Sequence, residues 1–346
     1  MLPKFTQWHV VTQDRMFTHL KSLWREDFPR VMIDAGCHAG HGRHKNVSDA
    51  LLWLDSFHYP GSEVLAIDAF EDFALDLQYR FDHHPQYASY TRVKKRAISL
   101  ALYPLTGIMK DFTKMARMHI TCCADKWCNH KRLERRYSDH LCKMTRMRLG
   151  IIPSDGRDKY TNHPNNLSLQ ILNKQNNTRY KVETRSLDDI WKSLLSNKHV
   201  DFLKIDIDSP WHSFGFNKLL KKGAVSVVVF EVDRAWRRPT KQKLGDLDEL
   251  ILLAHNQSYH TFVKVPCKAR NKLTGSMESG QYMRATRLIL IANVSKPFTP
   301  THFWASNDKN IQDFVLIKDT LMKSGTVDNL KSLADRMETD CAGKML

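Results

Sequence analysis

Residues 30–42 read RVMIDAGCHAGHG, and this stretch decides the fold. Val31, Met32 and Ile33 are a short apolar run of strand length. The run ends in Asp34 and passes into a turn carrying Gly36, Gly40 and Gly42. Beyond it, Val47, Ala50, Leu51 and Leu54 recur at the spacing of one helix face. A buried strand, a glycine turn and a helix in that order form half of a βαβ unit. Glycine lets the chain turn sharply and lets backbone approach a ligand closely. Amides at a helix start favour polar or anionic groups. The spacing here is G-x-x-x-G-x-G rather than the G-x-G-x-x-G of dinucleotide sites. The acid two residues before the first glycine suits a cationic amino group better than a pyrophosphate. Asp34, Gly36, His38 and Gly40 are therefore candidate cofactor-binding residues, with a plain strand-to-helix turn as the alternative.

The same reading extends outward. Residues 64–68 (VLAID) are a second apolar strand ending in an acid, Asp68, followed by Ala69. An acid at that place accepts two ribose hydroxyls side by side. Glu71 is the fallback, although an acid there also suits a helix start. Residues 73–81 read as a helix and residues 92–99 as a third strand. Residues 200–208 (VDFLKIDID) and 225–232 (VSVVVFEV) are strands, the latter nearly all apolar in its first six residues. Such a run implies burial on both faces, as in a parallel sheet covered by helices. Residues 247–255 read as a helix and residues 287–293 (RLILIAN) as a late strand. The fold class expected is α/β: a mostly parallel central sheet with helices on both faces.

In residues 200–208, alternation places Leu203, Ile205 and Ile207 on one face and Lys204, Asp206 and Asp208 on the other. Three charges on one face of a central strand are costly unless they reach its mouth or pair. Ligands bind at the carboxyl ends of parallel strands. Asp206 and Asp208, with Glu231 on the next strand, are candidates for a general base, substrate hydrogen bonding or metal coordination. An ion pair from Lys204 to Asp206 or Glu231 is the structural alternative.

Composition bounds the rest. The chain has 346 residues, 42% hydrophobic and 26% charged, enough apolar side chain for a sizeable core. No apolar run approaches the length of a membrane span and no signal peptide is read, so a cytoplasmic protein is expected. The formal net charge is +16, with 53 Lys and Arg against 37 Asp and Glu. That surplus favours an anionic partner, nucleic acid included; solubility alone is the plainer account. Residues 1–28 read as a helical lead-in, 29–295 as the core domain and 296–346 as a C-terminal extension, with a helix at 330–337. Residues 106–166 break the strand-helix alternation and read as an insertion. Between Lys110 and Lys159 there are thirteen Lys and Arg against six Asp and Glu. The insertion holds four of the seven cysteines. Cys122, Cys123, Cys128 and Cys142, with His130 and His140, match no standard zinc spacing; packed free thiols are the favoured reading and no metal is expected.

Taken in order, IDAGCHAGHG (33–42), VLAIDAF (64–70), ETRSLDDIW (183–191), VDFLKIDIDSPW (200–211) and VVVFEVD (227–233) form a set. It resembles the FkbM family of S-adenosylmethionine-dependent methyltransferases, over roughly residues 31–265. SLDDIW (186–191) is its most specific piece. The resemblance implies a Rossmann-like methyltransferase fold over residues 29–295 and methyl transfer to a hydroxyl of a sugar or small metabolite. By position, Asp34, Gly36 and Gly40 look like the family's first cofactor motif. Asp68 stands where the family usually has a Glu for the ribose. Lys204, Asp206 and Asp208 stand where it usually has K-x-D-x-E. Ser209, Pro210 and Trp211 replace the usual Gly-Ala-Glu, and the insertion is longer than expected. The expected catalytic set is Asp206, Asp208, His212 and Lys204, with Glu231 and Trp211 on the substrate side. Two further readings stand beside it: an RNA ribose methyltransferase using the basic insertion, and a non-catalytic binding protein on the same scaffold. A nicotinamide dehydrogenase is disfavoured by the glycine spacing.

Overall fold

The computed structural model describes residues 14–24, 28–37, 48–69, 71–104, 106–107, 109–113, 179–207, 211–232, 243–267, 285–298, 312–319 and 337. Most of the insertion, His38, Gly40, Asp208, and all but Met337 of the expected helix at 330–337 lie outside these residues.

The strands are β1 (Val31–Ala35), β2 (Glu63–Asp68), β3 (Lys94–Ser99), β4 (Ala101–Leu102), β5 (Met109–Thr113), β6 (Arg179–Arg185), β7 (Val200–Ile205), β8 (Val225–Val232), β9 (Tyr259–Cys267), β10 (Ala285–Ala292) and β11 (Gln312–Lys318). The helices are α1 (Asp14–Leu23), α2 (Asp49–Phe57), α3 (Glu71–His83), α4 (Pro85–Ala88), α5 (Leu187–Leu195), α6 (Asn217–Lys221) and α7 (Asp246–Asn256). A 3-10 turn covers Trp211–Phe214.

Eight strands form the main sheet in the order β10-β9-β11-β8-β7-β1-β2-β3. From β3 to β8 every pairing is parallel. β11 runs antiparallel to both β8 and β9, and β10 antiparallel to β9. The fold is thus α/β with a sheet that is parallel through its centre, in keeping with the nearly continuous apolar run of β8. A classic dinucleotide sheet has the order 3-2-1-4-5-6. This one keeps the first five places and then fills the sixth with the antiparallel β11. β11 comes from the stretch set apart as an extension, so residues 296–346 supply an interior strand of the core sheet.

Alternation along the strands builds two cores. Ile33, Leu203, Ile205, Val228, Phe230, Phe314 and Val263 face α5, α6 and α7. Met32, Phe202, Val227, Val229, Val315 and Phe262 face α1, α2 and α3. Helices therefore cover both faces. The lead-in is part of the second core: Phe17 of α1 meets Trp53 at 5.3 Å and Phe202 at 4.9 Å, both edge-to-face. Burying such rings contributes roughly 2–3 kcal/mol each.

A smaller sheet, β4-β6-β5, stands beside the carboxyl end of β3. Leu100 N–H donates to Asp68 O at 2.9 Å, joining that end to the tip of β2. β5 and β6 pair antiparallel and bracket residues 114–178. Residues 109–113, inside the stretch read as an insertion, thus form a strand paired with β6.

Candidate functional site

The chain leaves β1 towards β2 and β3 on one side and later returns through β7 and β8 on the other. The order reverses between β1 and β7, and open α/β sheets bind ligands outside the carboxyl ends at such a point. The expected residues of β1 and β7 meet there.

Gly36 is the hinge of this meeting. Its φ is +80°, and an added Cβ would run into the Asp206 carbonyl oxygen. Asp206 N–H donates to Ala35 O at 2.8 Å, so the two strands stay paired beyond their ends. Gly36 N–H and Cys37 N–H both donate to Ile67 O, at 2.8 and 3.1 Å. These two amides tie the turn to β2 and are not presented outward. Cys37 is 1% exposed. Burial pushes its thiol well above the ordinary range, and the carboxylates of Asp68 and Asp34 push it further. The thiol thus stands in the field of both strand-tip acids.

Asp34 is fully buried, and its carboxylate is directed to the start of α2. Oδ2 accepts from Ala50 N–H at 3.0 Å and from the Ser48 hydroxyl at 3.2 Å. Ser48 in turn caps α2 through Ala50 N–H at 3.3 Å. The helix amides that the sequence offered to a ligand are taken in part by the protein's own acid and hydroxyl. The role of Asp34 here is to fix the turn against α2.

Lys204 is 7% exposed and lies among three carboxylates. Its ammonium stands 3.1 Å from Asp206 Oδ2, 3.5 Å from Asp34 Oδ1 and 3.6 Å from Asp49 Oδ2. It also donates to Gly36 O at 3.2 Å. Burial alone would lower its pKa, but Asp34, Asp206 and Asp49 hold it well above the usual lysine range. The Lys204–Asp206 ion pair anticipated as the structural alternative is present. It sits at the strand mouth and orients Asp206. Asp49 was missed from the sequence, although an acid beside a Ser cap at a helix start was its visible signal.

Asp68 closes β2 at 8% exposure, one strand over from Asp34, and Ala69 follows it half-buried. Glu231 lies one residue past Phe230, which pairs with Ile205, so it stands beside Asp206 at the next tip. Trp211 and His212 go elsewhere. The Trp211 indole N–H donates to Asp246 O at 2.9 Å, and its ring packs against the α5–α7 core. His212 Nδ1 lies 3.8 Å from Asp246 Oδ1, with its side chain 52% exposed. Both residues are thus anchored to α7, on the opposite side of the sheet from Lys204. His38, Gly40 and Asp208 lie outside the described residues. Among the described residues, no group of three or more His, Cys, Asp and Glu is placed to hold a metal ion. Among them too, no helix is long and apolar enough to cross a membrane.

The residues present fit a cationic cofactor better than a pyrophosphate. Three carboxylates surround one lysine at the switch point, and Asp68 adds a fourth at the adjoining tip. A pyrophosphate would bring two further negative charges to that field. No protein-family model matches this chain, and comparison with curated proteins finds no match.

Proposed function

We propose that this chain is an S-adenosylmethionine-dependent methyltransferase of Rossmann-like fold, acting on a hydroxyl oxygen of a sugar or small metabolite. The observation that carries the reading is the meeting at the order reversal: Gly36 pressed on Asp206, with Lys204 held by Asp34, Asp49 and Asp206. The resemblance to the FkbM family points the same way. The sheet order argues against a nicotinamide dehydrogenase, because the sixth place is antiparallel.

S-adenosylmethionine, when bound, supplies a methyl carbon activated by a positively charged sulfur. In this reading Asp68 accepts the two ribose hydroxyls. Gly36 lets the turn lie close against the β7 tip, which a larger residue would prevent. The carboxylates around Lys204 favour a positive charge at the mouth of β1 and β7. Lys204 holds Asp206 Oδ2 and so sets the direction of that carboxylate. Asp206 orients the acceptor hydroxyl and takes up its proton at a carboxylate oxygen as the oxygen–carbon bond forms.

Incubation with methyl-labelled S-adenosylmethionine and a cell extract tests this. Label is expected in a product whose methyl sits on oxygen, and Asp206→Asn is expected to lower turnover about 100-fold. Turnover unaffected by Asp206→Asn would remove the role assigned to that carboxylate.

A further inference from the structure

The outer surface of α5 and α6 carries more positive charge than the acids beneath it balance. The Asp188 side chain is 5% exposed, and two ammonium groups meet one of its oxygens, Lys192 at 2.7 Å and Lys218 at 3.3 Å. Glu63, at 1%, is met by Lys94, Arg96 and Lys198. Both carboxylates lie inside, whereas the four lysines are between 46% and 62% exposed. Lys221 and Lys222 are exposed too, and neither pairs with an acid among the described residues. Contacts through α5 join the two groups into one surface. Arg96 Nη2 donates to Leu194 O at 2.7 Å, and the Trp191 indole N–H donates to Lys198 O at 2.6 Å. The Lys222 ammonium stands 5.1 Å over the Trp191 ring.

Residues 183–198 and 217–222, with Glu63, Lys94 and Arg96, hold eight Lys and Arg against four Asp and Glu. One cation for each buried acid would serve the fold. A surplus of like charge works against compactness, so the fold alone does not account for it. The chain that enters α5 through β6 is basic as well, with thirteen Lys and Arg against six Asp and Glu between Lys110 and Lys159. The surface offers charge without apolar anchors. Trp191, Leu219 and Leu220 are buried, and the large hydrophobic side chains exposed among the described residues, Phe28, Leu75 and Leu290, lie on other segments. Stable attachment to a membrane takes a second, apolar signal beside basic charge. A phosphodiester backbone is held by charge alone.

We propose that the α5–α6 surface binds the phosphate backbone of a nucleic acid. Lys222 covers the Trp191 ring, so α5 and α6 expose no large aromatic face on which bases could stack. Binding is therefore to phosphates and indifferent to base sequence. A nine-residue helix such as α5 is about 13 Å long, the length of about four phosphates along one strand of a duplex. The surface covers the core of Leu203, Ile205 and Val228, on the other side of the sheet from Lys204 and α2. A nucleic acid held there leaves the strand mouths around Lys204 free. The proposal does not depend on the methyl-transfer reading, and its test measures binding only.

Fluorescence anisotropy of the full-length protein tests this with two labelled probes of mixed sequence, a single-stranded RNA and a DNA duplex, each about 20 nucleotides long, between about 50 and about 200 mM salt. Binding of either probe that weakens steeply with salt is expected, and comparison of the two shows which nucleic acid fits. The double variant Lys221→Gln, Lys222→Gln should bind about tenfold more weakly at the low-salt end, with a salt slope shallower by about 1.4 for RNA and about 1.8 for the duplex. Lys221→Gln alone, which breaks no contact, should make the RNA slope shallower by about 0.7. Lys221→Arg with Lys222→Arg should bind as wild type, and an unchanged melting temperature in each variant shows that the fold is kept. No binding of either probe at low salt overturns the proposal. So does wild-type binding in the double glutamine variant, which would put the contact elsewhere in the chain. Tighter binding to vesicles containing phosphatidylserine than to either probe would make the surface a membrane contact and overturn it too.

Discussion

At the scale of single residues, Gly36 and Lys204 carry different kinds of constraint. Gly36 is needed for two independent reasons, a φ of +80° and the Asp206 carbonyl oxygen where a Cβ would stand. Gly36→Ala is expected to cost about 3 kcal/mol in urea unfolding, because strain and overlap act together. A loss under about 0.5 kcal/mol would mean that the β1 and β7 tips do not meet as described. The glycine was legible in the sequence because the turn follows an apolar run. The reason for it was not, since Asp206 lies 170 positions further on. Lys204 was legible as a charge that had to be paired. Its partners Asp34 and Asp49 were not, because pairing between β1, α2 and β7 is a matter of register.

At the scale of elements, the amino end of β2 offers a clean electrostatic test. Glu63 is 1% exposed and is met by Lys94 at 3.2 Å, Arg96 at 2.7 Å and Lys198 at 2.8 Å. Burial alone would raise its pKa, but Lys198 and Lys94 hold it below the ordinary value of 4.5. A carboxyl with a depressed folded pKa contributes stability that is present above the unfolded pKa. That stability is lost as pH falls through the folded one. Glu63→Gln is therefore expected to destabilise by about 2–3 kcal/mol at pH 7. This is below the usual cost of breaking a buried pair, because the three cations are partly solvated. The gap between wild type and variant should shrink as urea unfolding is repeated towards pH 3. A gap independent of pH would contradict the pairing. The strands themselves were uneven in legibility. β1, β2 and β8 were readable because their apolar runs are nearly continuous and bounded by acids or turns, and β7 because apolar and charged residues alternate along it. β9 and β11 were not separated out, because His260, Thr261 and Lys264 interrupt one run and Gln312, Asp313 and Lys318 bound the other. Of these, Lys264 and Asp313 pair with each other across the two strands at 3.1 Å.

At the scale of the whole molecule, the chain folds back on itself more than its linear divisions imply. The lead-in packs through Phe17 onto Trp53 and Phe202, and β11 lies inside the sheet between β8 and β9. One fold therefore spans residues from α1 to β11, and linear composition could not show that. Asp34, Asp68 and Asp206 lie at or next to the carboxyl ends of β1, β2 and β7, the neighbouring strands at which the sheet order reverses. We propose that these tips hold a cationic adenosyl ligand. Titration calorimetry of the purified chain tests it most directly. S-adenosylmethionine is expected to bind with a micromolar Kd, about 8 kcal/mol of binding free energy. Asp68→Asn should weaken that at least tenfold through lost charge-assisted hydrogen bonds, and a nicotinamide dinucleotide should give no binding heat. No binding of S-adenosylmethionine to the folded protein, or equal affinity in Asp68→Asn, would rule out an adenosyl site at these tips.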